Sequence, residues 1–363
     1  MSMQYAVKPS DTLTSAEDRA AILANPAFGK VFTDHMVTAT YTEGQGWHDG
    51  VLSAYGPILV DPASVVLHYG QTVFEGMKAY RQPDGGVALF RPERNARRLQ
   101  KSSERLALPQ LPEDLFLESL ELLVKQDEAW VPNQDGASLY LRPFIWATEV
   151  GLGVRPSATA LYQLIASPAG NYFSGPLRSV SLWLSQEYTR SAPGGTGAAK
   201  CGGNYAASLI AQQEAIANGC DQVVFLDAGE HRWLEELGGM NIFLVLDDGT
   251  LVTPEISGTI LEGITRDSII TLAKDLGHTV EERRVDVDEW RKGAVDGRVT
   301  EVFACGTAAV ITPIGALRWP GGEATTSNTG EVPGTVTMKL RNALMDVQYG
   351  RAADTYGWMH RVV

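Results

Sequence analysis

The longest apolar runs in this chain have the length of a single strand. Ile242-Phe243-Leu244-Val245-Leu246 is typical, and no run approaches the roughly 20 apolar residues that a membrane-crossing helix needs. Short apolar runs separated by turn residues predict a sheet-rich fold. Residues 74–81 and 87–91 flank Pro83-Asp84-Gly85-Gly86, a hairpin signal, and a second hairpin is expected through Asp247-Asp248-Gly249. Further strands are expected at 34–41, 51–60, 138–147, 160–166, 180–186, 222–226, 232–235 and 302–305.

Helices are fewer and grouped. Pro92 suits the first turn of a helix running to about Leu106. Residues 112–130 carry Leu115, Leu120, Leu122 and Leu123 on one broad apolar face. Others are expected at 205–218, closed by Gly219, after Thr265, and at 336–349. Grouped rather than strictly alternating helices predict an α+β class. A chain of 363 residues has room for two domains. The Pro- and Gly-rich stretch from Pro168 to Pro176 reads as the connection. The expected organisation is a small N-terminal α+β domain (1–170), an interdomain loop (171–178) and a larger, β-rich C-terminal domain (179–363).

A net charge of -13 argues against nucleic-acid or anionic-membrane binding, since both need a basic face. Cys201, Cys220 and Cys305 are odd in number and far apart, and the six histidines are scattered. Neither set has metal-ligand spacing, so no metal is expected. The polar N-terminus lacks the apolar core of a signal peptide, and a cytoplasmic protein is expected.

Against that background Lys200 stands out. It lies in Gly194-Gly195-Thr196-Gly197-Ala198-Ala199-Lys200-Cys201-Gly202-Gly203, with no other lysine between Lys125 and Lys274. An amine held dry among small residues becomes a nucleophile toward carbonyls, whereas a loop lysine facing water would be inert. Glu236 offers either a partner for a protonated pyridine nitrogen or a mate for a buried arginine. In strand alternation one of Glu235 and Glu236 faces water and the other inward. Tyr205 is close enough in sequence to Lys200 to share a ligand, or is a core tyrosine. Gly263-Ile264-Thr265 precedes a helix, where free N–H groups hold phosphate, or Thr265 is an ordinary N-cap. Gly306-Thr307-Ala308 is an anion nest or a tight turn. Arg91 clamps a phosphate or pairs with a surface carboxylate. Taken together, these groups suit pyridoxal 5'-phosphate better than a nucleotide, because neither GxGxxG nor GxxxxGK[ST] occurs.

Several longer runs then resemble one family. They are Phe28-Gly29-Lys30-Val31-Phe32-Thr33-Asp34-His35-Met36, His68-Tyr69-Gly70-Gln71-Thr72-Val73-Phe74-Glu75-Gly76-Met77-Lys78-Ala79-Tyr80, Leu139-Tyr140-Leu141-Arg142-Pro143 and Lys200-Cys201-Gly202-Gly203-Asn204-Tyr205. In this order they resemble the branched-chain amino-acid aminotransferases, class IV enzymes of pyridoxal-phosphate fold type IV. The resemblance implies a two-domain, D-amino-acid-aminotransferase-like fold with the cofactor between the domains. It implies a catalytic Lys200 that carries the cofactor as a Schiff base and moves the proton. Glu236 would meet the pyridine nitrogen, Tyr205 the ring oxygen, and Arg91, Ile264, Thr265 and Thr307 the phosphate.

The same resemblance implies a substrate pocket of Phe28, Phe74, Tyr140 and Arg142, with Tyr69 and Val154 reaching across a homodimer. Thr307, Ala308 and Ala309 would hold the α-carboxylate, and Tyr172 would belong to a mobile lid. The implied substrates are leucine, isoleucine, valine, glutamate and 2-oxoglutarate. Ala309 and Thr312 stand where some animal members carry a redox-sensitive CxxC, and Gly239 replaces a threonine found in others. D-amino-acid transaminases and aminodeoxychorismate lyases share the fold, and a non-catalytic cofactor-binding protein is the rival of another class.

Overall fold

The hairpin at Pro83-Asp84-Gly85-Gly86 forms as its turn residues require. In the computed structural model, which describes residues 3–170, 177–327 and 334–363, Met77–Arg81 pairs with Val87–Phe90 and Ala79 faces Leu89. Contacts divide the chain into two units. The first holds residues 3–170, Ala199–Gly202 and Val347–Val363; the second holds residues 177–198 and the described part of Gly203–Asp346. The first unit thus contains more than an N-terminal block. The Lys200 segment bonds to the strand Thr72–Phe74, and the last strand, Met359–Arg361, pairs with Val87–Phe90.

Among the described residues the first unit carries a nine-stranded sheet. Its order is Ala6–Val7, Gly46–Ala54, His35–Thr42, Thr159–Ala169, Ser138–Ala147, Met77–Arg81, Val87–Phe90, Met359–Arg361, with Thr72–Phe74 also on Ser138–Ala147. All pairs are antiparallel except the first. Two strand expectations in this unit change. The expected strand 74–81 breaks at Glu75-Gly76, where the Glu75 carboxylate turns to buried partners on a helix. The expected strand 51–60 is Gly46–Ala54 and leaves the sheet before Pro57, which has no N–H for a ladder. Helices Pro92–Arg105 and Glu113–Gln126 bury Leu99, Phe116, Leu120 and Leu123 against Leu89, Leu139, Leu141 and Leu164 of the sheet.

The second unit carries another nine-stranded sheet, ordered Leu234–Leu237, Gln222–Leu226, Val180–Leu184, Val310–Trp319, Val299–Gly306, Asn241–Leu246, Leu251–Pro254, Val280–Arg283, with Gly322–Thr325 on Val310–Trp319. Val180–Leu184 is parallel to both neighbours. Its core includes Leu182, Leu244, Val302, Ile314 and Trp290. The helices Gly202–Ala217, Ile264–Asp275 and Thr335–Gln348 lie close to their expected bounds. A helix at Val287–Asp296 was not anticipated. It buries Val287, Trp290 and Gly293, and Asp286 caps it by accepting the Asp288 N–H. Helices grouped beside two largely antiparallel sheets make the chain α+β. Among the described residues no helix is long and apolar enough to cross a membrane.

Candidate active site

In the first unit Lys200 is half-buried on a prepared seat. The Phe74 N–H donates to its carbonyl at 3.0 Å, and its own N–H donates to Ser102 Oγ at 2.9 Å. Cys201 bridges Val73 across the same junction. The Lys200 amine stands 4.9 Å from the centroid of the Phe74 ring. The Arg142 guanidinium lies over the same ring at 4.9 Å and donates to the Tyr140 hydroxyl at 2.9 Å. The Tyr140 ring in turn meets Phe28 edge-on, with centroids 4.9 Å apart. Four residues expected in a substrate pocket therefore form one contact chain that ends on the lysine. Apolar faces dominate it, and one cation with a phenol supplies its polar part.

Gly76 makes the chain possible. A Cβ there would lie 2.1 Å from Tyr140 Oη, so only glycine leaves the hydroxyl its place. Arg91 adopts a left-handed backbone, φ 51°, at the start of the Pro92–Arg105 helix. A non-glycine residue held there carries strain that its surroundings must maintain. Its N–H donates to the Trp358 carbonyl at 2.8 Å and its guanidinium lies 5.1 Å from the centre of the Trp358 ring.

Tyr69 and Val154 behave differently. Tyr69 is 46% exposed and bonds the Leu152 carbonyl through its hydroxyl at 2.7 Å; Val154 is 83% exposed. Leu59, Leu67, Val150 and Leu152 share this exposure, so the unit presents a substantial apolar surface. Tyr172 and most of the expected loop 171–178 lie outside the described residues.

In the second unit Glu236 has the arginine that one reading anticipated. Arg190 Nη1 lies 2.9 Å from Glu236 Oε1, both side chains are buried, and the Leu261 N–H donates to the same oxygen at 2.8 Å. The expectation that one of the two glutamates faces water is corrected. Glu235 and Glu236 are both buried, because strand Leu234–Leu237 is covered on both faces. Burial pushes the Glu235 carboxyl above its ordinary range, against the hydrogen bond from Thr259 Oγ1.

Leu261 leads directly to the helix Ile264–Asp275. Gly263 is its N-cap and no side chain caps it. Thr265 is therefore not an N-cap but lies within the first turn, where N–H groups and the helix dipole favour an anion. Thr307, Ala308 and Ala309 form the turn between Val299–Gly306 and Val310–Trp319. The turn ends on Val310 at φ 59°, a strained conformation for a β-branched residue. Tyr205 lies in the first turn of Gly202–Ala217, and a Cβ on Gly239 would come within 3.3 Å of its ring. Gly239 in turn neighbours Gly306, just before the Thr307 turn.

The second unit thus gathers a phenol, a buried carboxylate, an uncapped helix start and a strained turn, a set suited to an anionic, ring-containing ligand. Sequence reasoning missed Arg190 and Ser102 as members of these assemblies, and quoted Glu75 and Gly76 without assigning them roles. For Arg190 and Ser102 the local sequence holds no cue, because their partners are 46 and 98 residues away.

Residues 72–317 match the family described as amino-transferase class IV. The chain is 58% identical to a probable branched-chain-amino-acid aminotransferase of Streptomyces coelicolor, over 98% of this chain and 97% of that protein. It is 57% identical to the branched-chain-amino-acid aminotransferase of Mycolicibacterium smegmatis, over 99% and 98%. Among solved structures it is similar to the Escherichia coli branched-chain amino acid aminotransferase, with a TM-score of 0.74, 30% identity and coverage of 90% and 99%. It is also similar to that of Thermobaculum terrenum in its PLP form, with a TM-score of 0.73, 26% identity and coverage of 93% and 99%.

Proposed function

Because the chain belongs to the class IV aminotransferases and, among them, to the branched-chain-amino-acid aminotransferases, we propose that it moves the amino group of L-leucine, L-isoleucine or L-valine to 2-oxoglutarate, giving the branched 2-oxo acid and L-glutamate. The observation that carries this reading is the Lys200 amine resting on Phe74 at the end of an aromatic chain that also holds Arg142. Pyridoxal 5'-phosphate is the proposed cofactor. The residues fit it: the Ile264–Asp275 helix has no side-chain cap at its start, and Glu236 is a buried carboxylate fixed in place by Arg190. When bound, this cofactor supplies an aldehyde for the amino group and a ring that accepts the electrons released at the substrate α-carbon.

The chain's own groups do the rest. Lys200 would hold the cofactor covalently, and its amine would carry the proton at the substrate α-carbon. Glu236, itself fixed by Arg190, keeps the pyridine nitrogen protonated. Tyr205 donates to the ring oxygen. Ile264, Thr265, Arg91 and Thr307 bind the phosphate, the first two at the helix start. The N–H groups of the Thr307, Ala308 and Ala309 turn orient the substrate α-carboxylate. Phe28, Phe74 and Tyr140 select branched side chains by burial, worth about 0.8 kcal/mol per CH₂. Arg142 with the Tyr140 hydroxyl receives the second carboxylate of glutamate or 2-oxoglutarate. The exposed surface with Tyr69, Leu152 and Val154 supports a homodimer in which these residues complete the partner's site, and we place the enzyme in the cytoplasm.

The test is direct. L-Leucine should convert the visible absorbance of the loaded protein to that of the aminated cofactor, and 2-oxoglutarate should restore it. Borohydride reduction should fix the cofactor to Lys200 in peptide mapping, and Lys200→Ala should abolish both effects. A cofactor fixed to another lysine, or conversion by D-alanine but not by L-leucine, would reject the assignment.

A further inference from the structure

The Lys200 main chain has two supports in the first unit. The N–H of Phe74, at the end of strand Thr72–Phe74, donates to its carbonyl; Ser102, on helix Pro92–Arg105, accepts its N–H. Strand and helix are separate elements, and each could shift against the other. Glu75, the residue after Phe74, ties them together. It is fully buried. Arg98 grips its carboxylate with both arms, Nε to Oε1 at 2.7 Å and Nη2 to Oε2 at 2.8 Å. Asn95 Nδ2 donates to Oε2 at 2.7 Å, and the Gly76 N–H reaches the same oxygen at 3.2 Å. Asn95, Arg98 and Ser102 are spaced i, i+3 and i+7, so they share one face of the helix. All three are buried. One helix face therefore holds both the Lys200 amide and the carboxylate beside the lysine's other support.

An ion pair this deeply buried is a costly way to hold a fold together, since well-packed apolar residues often serve equally well. Its bidentate geometry instead fixes position, because a planar fork on a carboxylate defines both distance and angle. The lysine lies within its electrostatic reach. Burial pushes the Glu75 carboxyl up, but Arg98 and, behind it, Lys200 and Asn95 hold it below the usual range.

We propose that Glu75 is a positioning residue for Lys200, acting through Arg98 and Asn95 to lock the strand and helix that support the lysine's main chain. This rests on Lys200 being the lysine that holds the cofactor. A base displaced by about 1 Å loses on the order of a hundredfold in rate, so modest loosening at this clamp is visible in catalysis.

The test uses the loaded enzyme with Glu75→Gln and with the charge-free pair Glu75→Leu/Arg98→Met, which avoids a buried guanidinium without its carboxylate. At saturating L-leucine, conversion of the bound cofactor should slow by about tenfold or more, while the half-saturating leucine concentration stays within about threefold. Amide hydrogen exchange should quicken in peptides covering 72–76 and 199–203 and not across the rest of the first unit. A double variant with the wild-type rate and exchange would overturn the proposal. So would a loss of rate with exchange raised evenly through the unit, which marks a purely structural role. Should neither Glu75 variant fold, Asn95→Leu and Ser102→Ala decide, each expected to give the same local exchange pattern with a smaller slowing. Borohydride mapping in every protein keeps the two readings apart. A cofactor fixed elsewhere than Lys200 rejects the underlying assignment, whereas one on Lys200 with an unaffected double variant rejects only the role of Glu75.

Discussion

Gly76→Ala should separate the enzyme's two substrates. The new Cβ would lie 2.1 Å from Tyr140 Oη and 2.9 Å from Cζ, where ordinary contact begins at 3.4 Å. Tyr140 must therefore withdraw by more than an ångström, and its ring moves as a rigid body. Two neighbours resist. The ring edge packs on Phe28 with centroids 4.9 Å apart, and the hydroxyl accepts from Arg142 at 2.9 Å. Overpacking of this kind costs about 1–3 kcal/mol of stability. Loss of a hydrogen bond from a charged donor is worth about 1.5–3 kcal/mol, or roughly 10- to 150-fold in binding or rate. That loss should fall on the substrate whose second carboxylate needs Arg142 and the Tyr140 hydroxyl together. Single-turnover rates across substrate concentrations give kcat/KM for each half-reaction. Glutamate and 2-oxoglutarate should lose about 10- to 150-fold, and leucine less than fivefold. Tyr140→Phe, which keeps the ring and removes the hydroxyl, should repeat the bias with a smaller effect on stability. Equal losses for leucine and glutamate in both variants would refute the division of labour within the pocket.

Arg190→Met should destabilise the protein by about 3–5 kcal/mol in urea unfolding, because it leaves the buried Glu236 carboxylate without its cation; Glu236→Gln added to it should recover much of that loss. Asp227 predicts a pH dependence. Desolvation pushes its carboxyl up, but N–H donations from Gly229, Glu230, Arg232 and Trp233 outweigh this and bring its pKa down to about 2. With the folded value below the unfolded one near 3.9, the stabilisation is fully present above about pH 4 and fades as pH falls toward 2. Asp227→Asn should therefore cost about 1 kcal/mol at neutral pH, discounted for partial exposure, and the gap from wild type should close between about pH 4 and 2 in urea titrations.

How much of this could be read in advance depends on how local the cause is. The turn at Pro83-Asp84-Gly85-Gly86, the Pro92 helix start and the glycines around Lys200 act through their own backbone, and the first two formed at the predicted positions. Phe28, Phe74, Tyr140 and Arg142 were named through the family resemblance, and the structure shows that they touch one another. Glu235 was misjudged because alternation along a strand says which face a side chain takes, not whether that face is covered. Thr265 was weighed as a cap because a hydroxyl before a helix often is one; the helix begins two residues before that reading places it, with Gly263 at the N-cap position and no side-chain cap.

By itself, then, the sequence determined the family and those elements whose signals are local, such as the Pro83-Asp84-Gly85-Gly86 hairpin and the Pro92 helix, since each depends on residues a few positions apart. Only the tertiary structure decided which charges are buried and who neutralises them. Arg190 reaches Glu236 over 46 residues, Arg98 reaches Glu75 over 23, and Lys200 joins the first unit although the chain on either side belongs to the second. The physical reason is the same in each case: a charge can be removed from water only where a partner waits, and that partner is placed by the fold rather than by the neighbouring residues.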